Sequence, residues 1–169
     1  MIVMHYLGRQ DFSRIFEIVY KHYTGRESAP DYFSEEEGLR KLEGVLEGVK
    51  MDRFYPDFYD KVAYLLIQIN THYFSNGNKR LALVCVLAFI LINNYEIFSF
   101  SKDKYKAKLE ELFPKFRDFH DYEDFLPEEF GYYNLSIVVA DNKKYTDSFE
   151  ELKTRIKSFF QFSVNKKSP

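Results

Sequence analysis

Residues 81–92 read LALVCVLAFILI, a run without a charge or a helix breaker. From Lys79 to Asn93 the segment has the length of a helix, and its apolar residues cover nearly the whole circumference rather than one stripe. A helix of that kind has to be surrounded by others. It is also too short to span a bilayer, which takes roughly 20 apolar residues. The chain is therefore expected to wrap its remaining elements around this helix.

Those elements read mostly as helices. DFSRIFEIVYKHY places Phe12, Ile15, Phe16, Val19 and Tyr20 on one face, with Asp11 as N-cap. The stretch TGRESAPDYF, with Gly25 and Pro30, reads as a loop. Ser34 and Glu37 have capping-box spacing ahead of a helix carrying Leu39, Leu42 and Leu46, in which Gly38, Gly44 and Gly48 would permit close approach of a neighbour. Pro56 and Asp57 open a helix that the pattern carries to about His72. YEIFSF, residues 95–100, reads as a short strand or extended connection, and a further helix ends near Pro114. The acidic, aromatic stretch from Arg117 to Tyr133 reads as a loop with short turns, and LSIVVADNK fits strand and helix equally. Ser148 and Glu151 cap a last helix, and NKKSP is expected to fray. The expected fold is all-α or predominantly α, one domain over residues 1–169, with 101–169 as a C-terminal helical extension.

Composition narrows the function classes. With 24 basic and 26 acidic residues the formal charge is −2, so no global field favours nucleic acid or an acidic membrane, and a basic site has to be local. Cys85 is the only cysteine and lies inside the apolar run, which excludes a disulfide framework and suits a buried hydrophobe in a reducing compartment. The first residues lack the pattern of a signal peptide. A soluble cytoplasmic protein is expected.

The local basic site is HYFSNGNKRLA, residues 72–82. Its spacing puts a turn between two apolar helices, so that the free amides of Gly77, Asn78 and the first helical turn form an anion site. Gly77 permits a tight turn, Lys79 and Arg80 add positive charge, and His72 stands on the other side of the turn, where an imidazole could take a proton from an attacking hydroxyl. Phe74 reads as a core anchor. Singly, a histidine at a helix end, an Asn-Gly turn and a Lys-Arg pair are ordinary surface features.

Together, His72, Phe74, Asn76, Gly77, Asn78, Lys79 and Arg80 match without a gap the signature of the Fic/Doc family in its Doc-type, death-on-curing branch. The resemblance covers about residues 35–100 and implies a helical bundle around a central apolar helix. The AMP-transferring Fic branch has a second glycine where this chain has Lys79, and a second arginine where it has Leu83. The resemblance therefore implies a toxin of a toxin–antitoxin pair, a kinase that uses ATP and Mg²⁺ to phosphorylate a Ser or Thr of a protein target, elongation factor Tu being the expected one, with a small antitoxin as partner. It implies His72 as general base, Gly77 and Asn78 as anion hole, Lys79 and Arg80 on the phosphates, and Asn76 toward Mg²⁺. Many relatives carry a carboxylate at the position of Asn76, and an amide is a weaker ligand for a hard cation. Target docking by β-augmentation falls on ESAPDYFS, with Tyr32 and Phe33 as contacts. AMP transfer and a degenerate, non-catalytic nucleotide- or protein-binding role are the alternatives. No direct nucleic-acid or membrane partner is expected.

Overall fold

The computed structural model describes residues 3–21 and 30–169. Its helices are α1 (Phe12–Lys21), α2 (Glu36–Gly48), α3 (Phe58–Ile69), α4 (Asn78–Ile92), α5 (Lys102–Leu112), α6 (Pro127–Ala140) and α7 (Phe149–Ser163). Two short strands, β1 (Tyr95–Ile97) and β2 (Val164–Lys166), form the only sheet among the described residues. The chain is mostly helical, as the periodicity requires, and among the described residues no helix is long and apolar enough to cross a membrane.

The all-round apolar segment is α4, and it lies at the centre. α1, α3 and α6 pack on it, α7 covers α3, and α5 covers α6. Leu81, Ala82, Leu83, Cys85, Val86, Phe89 and Ile90 are all essentially inaccessible. A large apolar side chain buried so fully stabilises the fold by about 1.5–3 kcal/mol. Cys85 belongs to this packing, and burial pushes its thiol up to about 12, so it has no nucleophilic character at neutral pH.

Several element ends differ from the sequence reading, each for a local reason. Asp11 does not cap α1; it lies in the preceding 3₁₀ turn and accepts from the Gly8 amide at 2.8 Å. The Ser34 hydroxyl donates back to the Asp31 carbonyl at 2.8 Å, so no capping box forms there and Glu35 becomes the N-cap of α2. α3 stops at Ile69, three residues before His72, with Asn70 as its C-cap. The ambiguous LSIVVA segment is helical because it is the second half of α6, which starts at Pro127 and has Glu129 accepting from the Leu126 amide at 3.1 Å. The C-terminal tail does not fray at once. Its first residues pair antiparallel with β1, setting Tyr95 against Lys166 and Ile97 against Val164. Residues 24–29 of the expected loop, and residues 22–23 at the end of the expected first helix, lie outside the described residues.

Buried asparagines fasten irregular chain to helices. Asn93, near the end of α4, accepts from the His5 amide at 2.7 Å and donates to the His5 and Phe89 carbonyls at 2.9 and 2.8 Å. Asn134 on α6 does the same with the His120 amide and carbonyl. Each side-chain amide satisfies both polar groups of one passing backbone residue and so fixes that residue to the helix. A third clasp of this kind holds the loop described next. An ion pair joins α3 to α7: Asp60, only 5% exposed, accepts from Lys157 at 2.8 Å. Burial pushes the Asp60 carboxyl up, but the Lys157 bond and charge, aided by Lys153, outweigh it and hold the group below its ordinary value.

Candidate functional site

The chain between α3 and α4 is built to present the start of α4. At Gly77 it enters the left-handed region, φ 73°, where a side chain would be strained, and α4 begins at the next residue. The Gly77 carbonyl is fixed by two donors, the Leu81 amide at 3.0 Å and the Tyr32 hydroxyl at 2.8 Å. Asn78 makes the third clasp: its Oδ1 accepts from the Phe74 amide at 3.1 Å and its Nδ2 donates to the Phe74 carbonyl at 2.8 Å. Glu35 ties down the loop's outer side, accepting from the Ser75 amide at 2.9 Å and the Ser75 hydroxyl at 3.0 Å. Phe74 is buried as a core anchor, edge-on to Tyr32 with ring centres 4.9 Å apart.

Gly38 of α2 is needed for this approach. A Cβ on it would lie 2.6 Å from the Phe74 ring and 2.8 Å from the Tyr73 carbonyl oxygen. Gly48 faces Tyr64 in the same way, whereas Gly44 faces open space. Gly38→Ala is expected to lower stability by about 1–3 kcal/mol, the range for overpacking a close contact. Urea unfolding checks this, and Gly44→Ala, with no neighbour to displace, is expected to be neutral or stabilising.

The loop and the start of α4 enclose a cavity of about 250 Å³ lined by His72, Ser75, Asn76, Gly77, Asn78, Lys79, Arg80 and Tyr133. The motif residues assigned to base, anion hole, phosphate and metal thus meet in one place. The amides of Asn78 and Lys79 belong to the first turn of α4 and have no intrahelical acceptor, and the helix dipole adds to their positive potential. Asn78 contributes only its backbone, because its side chain is occupied by Phe74. The volume is just under the ~300–1,000 Å³ of pockets that enclose a whole small ligand, which suits the phosphate end of a nucleotide with the base outside.

His72 is exposed at the cavity rim with φ 61°, a left-handed conformation costly for a non-glycine residue. Asn76 is exposed and, among the described residues, is the one side-chain amide of the lining left for a metal. Among the described residues the lining holds no carboxylate, and no group of three His, Cys, Asp or Glu side chains is arranged to hold a metal ion. One amide is too poor a donor set to retain Mg²⁺ by itself, so with these residues the ion fits as part of a metal–nucleotide substrate.

One assignment changes. Tyr32 is fully buried, stacked on Phe16 with ring centres 4.5 Å apart, and supports Gly77 from below; it has no surface for a target. Phe33 is 52% exposed and keeps a surface on which a partner can rest. Sequence reasoning missed Glu35, the supporting role of Tyr32, and Tyr133, which reaches the site from α6 in the C-terminal third. The capping pattern drew attention to Ser34 and Glu37, on either side of Glu35, and no local signal pointed to Tyr133.

Compared with family models, curated proteins and solved structures, the chain has no match.

Proposed function

We propose that this protein is a Doc-type kinase that moves the γ-phosphate of ATP to a Ser or Thr hydroxyl of a protein target. The observation that carries the reading is the cavity at the start of α4, where a left-handed glycine, free helix amides, Lys79 and Arg80 lie across one small space from His72. The motif resemblance supplies the reaction class; the geometry suits it.

Each residue then has a task. The amides of the first turn and the Lys79 and Arg80 side chains bind the phosphate oxygens and offset the charge that spreads over them in transfer. His72 accepts the proton of the target hydroxyl as the new O–P bond forms, while the bond from the γ-phosphorus to the bridging oxygen breaks and ADP leaves. Bound Mg²⁺ accompanies the ATP phosphates and supplies further charge neutralisation. Asn76, at the rim, can hydrogen-bond a water of that ion.

Leu83 favours phosphoryl over AMP transfer. Its position is that of the second arginine of the AMP-transferring branch, and it is 1% exposed in the core of the bundle. The exposed amide at Asn76, where the described lining holds no carboxylate, favours the second reading, a nucleotide binder without catalysis. Elongation factor Tu is the proposed target and a small antitoxin the proposed partner, both on the resemblance alone.

Incubation with ATP, Mg²⁺ and bacterial elongation factor Tu, followed by intact-mass measurement, tests the reading. One phosphate gained on the factor is expected. A gain of one AMP establishes the alternative transfer, and ATP binding without transfer to this or any other bacterial protein favours the non-catalytic role.

A further inference from the structure

Arg80 is the most enclosed cation of the cavity wall. It is 7% exposed, and its guanidinium carbon lies 5.2 Å from the ring centre of Tyr122, 5.5 Å from Tyr133 and 5.9 Å from Phe125. All three lie within the ~6 Å at which a cation gains from an aromatic face. The rings come from two stretches of chain remote from the loop, Tyr122 and Phe125 from the connection before α6 and Tyr133 from α6 itself. They also pack on one another, Tyr122 against Phe125 at 5.0 Å, Phe125 against Tyr133 at 5.3 Å and Tyr122 against Tyr133 at 5.8 Å. The guanidinium therefore sits against one aromatic box rather than three separate contacts.

Both Arg80 and Tyr133 line the cavity, so the guanidinium held against these rings stands where a bound anion would meet it. A long, solvated arginine must give up rotamer freedom each time it binds; one held against rings has given it up beforehand.

We infer that Tyr122, Phe125 and Tyr133 are positioning residues that fix the Arg80 guanidinium at the cavity wall, so that the C-terminal third is part of the phosphate site. This rests on the phosphate-binding reading above. The rings act through Arg80, so their effect on binding disappears when Arg80 is replaced.

ATP with Mg²⁺, titrated calorimetrically into the full chain, tests this. Tyr133→Leu and Tyr122→Leu are each expected to raise Kd about three- to tenfold, the equivalent of one cation–π contact. Tyr133→Phe, which keeps the ring, is expected to restore binding to within about twofold of wild type. In an Arg80→Gln background Tyr133→Leu should change Kd no further. Tyr122 is only half-buried, so Tyr122→Leu decides the matter if Tyr133→Leu fails to fold. Wild-type binding with Kd unmoved in the Leu variants, or an equal loss with and without Arg80, overturns the inference alone. No ATP binding by the wild type overturns the phosphate reading and this inference with it.

Discussion

Replacing His72 by Ala is expected to slow transfer to the target by about 10²–10⁴-fold, the usual contribution of a positioned general base. Folding should hardly notice. The imidazole is exposed at the rim of the cavity, and surface substitutions away from buried contacts stay within about 0.5 kcal/mol. The backbone supplies a second control. Because residue 72 has φ 61°, Ala there carries left-handed strain that Gly does not, so His72→Gly should be about 1 kcal/mol more stable than His72→Ala, the reverse of the order in a helix. Both variants should be inactive. Single-turnover transfer followed by intact mass, beside urea unfolding, gives both numbers. Transfer unchanged in His72→Ala and in Lys79→Ala alike would remove the kinase mechanism.

The largest effect on the fold is expected at Asn78. Its side chain satisfies both the amide and the carbonyl of Phe74, which is 3% exposed, and Ala would leave the two backbone groups buried without partners. Each orphaned group costs about 1–3 kcal/mol, so Asn78→Ala should lose about 2–6 kcal/mol in urea unfolding. Asp is no substitute. It can accept from the Phe74 amide but brings a second acceptor toward the Phe74 carbonyl, and it sets a negative charge at the anion site. Asn93→Ala removes a clasp of the same design at the far end of α4 and is the natural comparison. It should destabilise less, because His5 is exposed and water can reach the groups it leaves, and it should leave ATP affinity of the folded protein unchanged, whereas Asn78→Ala should weaken both. Equal stability of Asn78→Ala and wild type would mean that the loop does not depend on this clasp.

What could be read from the sequence follows from the range of the interactions involved. The central place of α4 was legible because an all-round apolar helix has one physical solution, and the loop ahead of it because glycine, free helix amides and cations act within a few residues of one another. Other features depend on distant segments meeting. Glu35 reaches Ser75, Tyr32 reaches Gly77, and Tyr133 reaches Arg80. None of these pairs leaves a periodic trace in either segment. The strand at Val164–Lys166 was hidden for the same reason, since its partner is β1 and its own residues resemble a solvated tail. α6 was obscured by a different conflict: β-branched Ile137, Val138 and Val139 favour a strand locally, and burial against α4 and α5 outweighs that preference.

The central claim is that the start of α4 binds phosphate. Titration of ATP with Mg²⁺ into wild type and Lys79→Met tests it most directly, because the substitution keeps the aliphatic stem and removes only the charge. A charge-assisted bond to phosphate contributes about 1.5–3 kcal/mol, so binding to the wild type and an affinity at least about tenfold weaker in Lys79→Met are predicted. No binding to the wild type, or the same affinity in both proteins, would contradict the account.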